Sequence, residues 1–129
     1  MAATDVLKLQ ERLAWRRISL KQHDEYVASL KLYPGSFVRV NAVGNGDPEA
    51  ETFAEDIGSV LRDAQWRVVV DRTNVMIPAP LGSNCRVDDR SAAGKALAKV
   101  LKGLPGAVIT PIPLTGEIAL IIVGLRPPP

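Results

Sequence analysis

The stretch from Phe37 to Val70 constrains this chain more than any other. Phe37-Val38-Arg39-Val40-Asn41-Ala42-Val43 is rich in β-branched and aromatic residues and partly alternates, which predicts a strand. Gly44-Asn45-Gly46 breaks it. Asp47-Pro48-Glu49 then starts a helix with a side-chain cap, proline at the first helical position and acids at the positive end of the dipole. Phe53, Ala54, Ile57, Val60, Leu61 and Ala64 recur at helical spacing, so the helix runs to about Ala64 with one broad buried face. Trp66-Arg67-Val68-Val69-Val70 follows at once as a second strand. Joined this tightly, strand, helix and strand predict a right-handed parallel β-α-β crossover.

Downstream, Arg72 to Asn84 holds Pro78, Pro80 and Gly82 with little periodicity and reads as a loop. Cys85-Arg86-Val87 reads as a short strand, and Asp88, Asp89 or Ser91 caps a helix whose buried face is Ala92, Ala96, Leu97, Val100, Leu101 and Leu104. Gly103 to Gly106 ends it, Ala107 to Ile112 makes a fourth strand, and Thr115-Gly116 turns the chain into a fifth, Ile118 to Val123. The order predicts an α+β sandwich of the split β-α-β-β-α-β (ferredoxin-like) kind, with both helices on one sheet face and a C-terminal strand added by a hairpin. The alternative is an open α/β sheet with helices on both faces.

Two helices are expected ahead of this body, dividing the chain into a helical leader, 1–35, and an α/β domain, 36–129. In the first helix Val6, Leu9, Leu13 and Ile18 form a narrow seam among Lys8, Glu11, Arg12, Arg16 and Arg17, a pattern closer to a coiled-coil face than to a core helix. Trp15 lies in the same stretch, and Val6, Leu9, Leu13 and Trp15 are the candidate interface for self-association or another partner. Ser19-Leu20-Lys21-Gln22 fits a capping box for the second helix. Leu20, Val27 and Leu30 with Tyr26 or Tyr33 give that helix its apolar side, and Pro34-Gly35 stops it.

The 129 residues suit one domain able to bury a core without staples, and the single cysteine, Cys85, rules out an internal disulfide and any Cys-x-x-Cys zinc spacing. The longest nearly unbroken apolar run, Ile118 to Leu125, is far short of the roughly 20 residues of a membrane-spanning helix. The first five residues lack a secretory pattern, so the chain reads as cytosolic. Net charge is +2, and the excess of bases falls wholly within the first 36 residues. The neutral body shows no basic face interleaved with base-reading residues, so no nucleic-acid partner is expected.

Catalytic and metal-binding sets are hard to assemble. Gly44-Asn45-Gly46 sits at a strand-to-helix turn where phosphates bind, and Gly44, Asn45 and Gly46 are the candidate ligand-binding residues. Glu49 nevertheless stands where the third glycine of a dinucleotide fingerprint belongs, and Asp47, Glu49 and Glu51 oppose a pyrophosphate. Gly94-Lys95 is not followed by Ser or Thr and makes no P-loop. His23, with Asp24 and Glu25 beside it, reads as a solvated helix residue, and Cys85 as a small core residue. Asp71, Asp88 and Asp89 would hold a hard cation only if their strand ends meet, and Asp88-Asp89 reads better as helix capping. No catalytic residue, metal or cofactor is expected.

Several residues together carry a further likeness: Arg17-Ile18-Ser19, Pro34-Gly35, Gly46-Asp47-Pro48-Glu49-Ala50, Phe53-Ala54, Ala64-Gln65-Trp66, Val123-Gly124 and Pro127. From about residue 16 to 125 the chain resembles a group of bacterial domains of unknown function that follow membrane helices and a short coiled coil and share a "DPEA…FA…L…AGW" pattern. Gln65 replaces the usual glycine before the tryptophan, so the left-handed turn expected there carries a side chain. The resemblance implies an α/β domain at the inner face of a membrane, tethered from outside this chain, and supplies no catalytic residues. Together these readings predict a non-enzymatic interaction or oligomerisation module, with a small-molecule sensing domain, its ligand a nucleotide or another metabolite, as the alternative.

Overall fold

The computed structural model describes residues 15–43, 46–72 and 78–127. Within them lie α1 (Leu20–Leu30), β1 (Phe37–Ala42), α2 (Pro48–Asp63), β2 (Arg67–Asp71), β3 (Ser83–Val87), α3 (Ala92–Lys102), β4 (Ala107–Pro111) and β5 (Ala119–Val123). The strands form one open sheet in the order β2-β1-β5-β3-β4, parallel throughout except where β3 meets β5. The protein is an α/β fold.

Local chemistry accounts for the helix boundaries. The Ser19 hydroxyl accepts from the Gln22 amide while the Gln22 side chain accepts from the Ser19 amide, the reciprocal capping expected from the sequence. Asp47 caps α2 through the Ala50 amide, with Pro48 at its first position, and Ser91 caps α3 through the Gly94 amide. Gln65 takes the left-handed conformation, φ 68°, in the turn between α2 and β2.

The strand pairing differs from the ferredoxin-like expectation. β1-α2-β2 and β3-α3-β4 are two plain parallel units, each with its strands adjacent, and β5 lies between β1 and β3. The last strand is therefore no hairpin partner of β4. Its sequence, Ala119-Leu120-Ile121-Ile122-Val123, is the most continuously apolar of the five, and such a strand is stabilised most at the centre of a sheet. The chain reaches that place by crossing the end of β3. Ile112 donates to the Val87 carbonyl, Asp88 to the Ile118 carbonyl, and Leu114 to the Asp88 carboxylate.

All three helices cover one sheet face, as the first expectation had it. Val38, Val40, Ala42, Cys85, Val87, Ala119, Ile121 and Val123 point into the core beneath them. The core continues through Phe53, Ile57 and Leu61 of α2 and Leu97 and Leu101 of α3. α1 packs against both α2 and α3, with Leu30 fully buried and its carbonyl accepting from the Trp66 indole nitrogen at 2.8 Å. Two details of the leader depart from expectation. Residues 15–19 are not helical, and Ile18 packs onto the core rather than extending a seam, because its neighbours are drawn onto α2. Leu20, expected on the apolar side of α1, is 79% exposed.

Candidate functional site

The most elaborate polar arrangement holds residues 15–23 on α2. Glu49, Asp56 and Asp63 stand seven residues apart on that helix, and each meets a basic residue of the incoming chain. Arg16 donates from its backbone amide and Nε to Glu49 Oε2, and from Nη2 to Glu49 Oε1 at 2.7 Å and the Gly124 carbonyl at 2.7 Å. Its guanidinium lies over the Phe53 ring, 4.7 Å from the centroid. The remaining nitrogen, Nη1, is buried with no oxygen partner and has that ring face as its electron-rich neighbour. Arg17 and the Ile18 amide both bind the Asp56 carboxylate, and His23 Nε2 lies 2.7 Å from Asp63 Oδ2.

Arg16 and Glu49 are nearly solvent-free, at 6% and 5% exposure. Burial alone would push the Glu49 carboxyl up. The hydrogen bonds and charge of Arg16, with the more distant Arg126, outweigh it and hold the group below its ordinary value. This clamp sits beside the carboxyl ends of β1 and β5, where ligands bind in open α/β sheets. There Trp15, Asp47, Glu49, Leu125 and Arg126 line a cleft of about 190 Å³. Gly46, at φ +86° and exposed, lies just before α2 at the same edge. Trp15 is half exposed. Gly44, Asn45, Val6, Leu9 and Leu13 lie outside the described residues.

No match to a protein-family model, a curated protein or a solved structure was found for this chain. The site therefore has to be read from its own chemistry. Asp47 and Glu49 put carboxylates on the cleft at the start of α2, which opposes a phosphate ligand in the place where the helix dipole would favour one.

The other sequence candidates do not converge. β3 runs antiparallel to β5, so the carboxyl ends of β2 and β3 lie at opposite edges of the sheet, which separates Asp71 from Asp88. Among the described residues no group of three or more His, Cys, Asp or Glu side chains is placed to hold a metal ion. Cys85 is fully buried beneath the helices, and desolvation pushes its thiol up to about 12, so it stays a neutral core residue. Asp88 is not a helix cap: its carboxylate accepts from the Arg90 side chain, the Arg90 amide and the Leu114 amide. The Arg90 side-chain hydrogen bonds first, and the Leu114 amide second, hold it well below the usual carboxylate range.

The sheet face away from the helices is a second surface, which the sequence reading did not single out. Alternation along each strand places Phe37, Arg39 and Asn41 of β1, Leu120 and Ile122 of β5, Asn84 and Arg86 of β3, Arg67, Val69 and Asp71 of β2, and Val108 and Thr110 of β4 on it. Register aligns Val69, Arg39, Leu120, Arg86 and Thr110 in one row across all five strands. The guanidinium groups of Arg39 and Arg67 lie over the Phe37 ring at 5.3 and 5.2 Å.

Proposed function

We propose that this chain is a non-enzymatic interaction and oligomerisation module, with its leader as the contact that joins it to another copy. The observation that carries this reading is the Arg16 clamp. It fixes the chain that follows residues 1–14 firmly on α2 and presents Trp15 half exposed beside it. A seam of Val6, Leu9 and Leu13 starting from a rigid mount can engage a second copy with little loss of orientation freedom. The resemblance to bacterial domains that follow membrane helices supports a place at the inner face of a membrane, tethered from outside this chain. Among the described residues no helix is long and apolar enough to cross one.

Sedimentation or native mass spectrometry of the full chain and of a variant lacking residues 1–14 tests this. The full chain is expected to associate in a concentration-dependent way, and the shortened chain to be monomeric with an unchanged melting temperature at high dilution. Equal association of the two would overturn the reading. The deletion has to stop before Trp15, because removing Arg16 and Arg17 would break the fold's own ion pairs.

The cleft beside Trp15 favours the second reading, a small-molecule sensing domain. Asp47 and Arg126 give its lining one charge of each sign, beside a Glu49 carboxylate already held by Arg16, so amines and nucleotides are both candidate ligands. A panel of amines and nucleotides screened by thermal melting decides the point, since a ligand selective for the folded state must raise the melting temperature.

A further inference from the structure

We infer that the open face of the sheet is a docking surface for an acidic amphipathic helix of a partner protein. The argument starts from β5. Sheets dominated by parallel strands are normally covered on both faces, and strands buried on both sides read as unbroken apolar runs. Ala119-Leu120-Ile121-Ile122-Val123 is such a run at the centre of such a sheet. Ala119, Ile121 and Val123 are covered by the helices, whereas Leu120 and Ile122 point to the face on which no described helix lies.

The chemistry around these two residues selects the occupant. Arg39 on β1 and Arg86 on β3 flank Leu120 in one row, and Asn41 and Asn84 flank Ile122 in the next. Arg67 adds a third exposed cation, beside Phe37. The ion pairs among the described residues engage other cations, namely Arg16, Arg17, His23, Arg62, Arg72 and Arg90. The result is an aliphatic strip with a cation on either side of Leu120, while the one carboxylate aligned with it among the described residues, Asp71, stands two strands away from Ile122 on β2. Strands β1 and β3 are two strand spacings apart, about 10 Å, which is the width of a helix with its side chains. A helix lying on β5 would set its apolar stripe on Leu120 and Ile122 and its flanking carboxylates on Arg39 and Arg86.

Other occupants fit less well. A second copy placed face to face would set arginines against arginines. Residues 1–14 carry Lys8 and Arg12 as well as Asp5 and Glu11, so they do not complement the charge. A single-stranded nucleic acid needs free aromatic rings on which bases stack, and the one aromatic ring on this face among the described residues, Phe37, is covered by two guanidinium groups.

The test titrates nitrogen-15-labelled full chain with a synthetic helix of about 18 residues. It carries a leucine stripe and glutamates on both flanks, and a lysine-flanked counterpart serves as control. The glutamate helix should saturably shift the amides of Arg39, Asn41, Asn84, Arg86, Leu120 and Ile122. Arg39→Glu and Arg86→Glu should each weaken it by roughly tenfold, and the double variant should prefer the lysine helix. Both side chains are exposed, so the variants keep their melting temperature. Four results would each overturn the proposal: no shift with either helix, equal affinity for both, tighter binding of a single-stranded oligonucleotide, or the same amides shifting when residues 1–14 are deleted or the protein is concentrated. The leader-deletion experiment reads self-association, so either proposal can fail alone.

Discussion

Arg16 and Glu49 show how much one buried contact carries. Each is nearly solvent-free, and the two are joined by an ion pair at 2.7 Å. Replacing Arg16 with methionine keeps the stem and removes the charge, leaving a carboxylate stranded at the start of α2. We expect a loss of about 3 kcal/mol in urea unfolding, largely recovered in the Arg16→Met/Glu49→Leu double variant. Acid has a related effect. Glu49 and Asp88 have folded-state pKa values held below their unfolded ones. Their stabilisation is therefore complete above the unfolded values and is lost as pH falls through the folded ones. The melting temperature should fall steadily below about pH 5, and in Asp88→Asn that acid limb should be shallower from a lower starting point. None of this follows from spacing alone. Arg16 reads in sequence as a solvated flank of a seam, and Glu49 as a dipole-facing acid, because nothing local shows that the two ends of a 33-residue separation meet.

At the scale of elements, α2 is the best defined in sequence and the busiest in the structure. Its cap, its proline and its apolar face are all local, and so its bounds, Pro48–Asp63, follow closely from the sequence. Its other face carries Glu49, Asp56 and Asp63 at a spacing of seven, a rail for Arg16, Arg17 and His23. That spacing is legible in the sequence, but its use is not, because exposed acids at helical intervals normally face water. Gln65 is the element-scale flaw. A side chain in the left-handed region costs about 1 kcal/mol that glycine avoids, so Gln65→Gly should raise stability by about 0.5 to 1 kcal/mol. A lowered melting temperature for that variant would show that the Gln65 side chain makes a compensating contact.

Across the whole molecule, β5 joins two β-α-β units that are otherwise separate in the sheet. A chain ending after Pro111 would leave the core flanks of β1 and β3 open to water. It should lack a cooperative thermal transition, whereas the full chain should melt as one unit; circular dichroism distinguishes the two. The sequence by itself determined the elements. Caps, prolines, alternation and helical periodicity act over a few residues, and they fix where α2, α3 and the five strands begin and end to within a residue or two, whereas α1 ends at Leu30, before the Pro34-Gly35 stop. Tertiary structure alone decided the strand order. Thr115-Gly116 has the same turn chemistry whether it closes a hairpin or crosses the end of β3, and the crossing prevails because it buries the most apolar strand at the centre. Tertiary structure also created the Arg16 clamp and the cation-flanked strip on the open face, since both depend on which strands lie side by side, and register between distant segments is set by the packing of the whole domain.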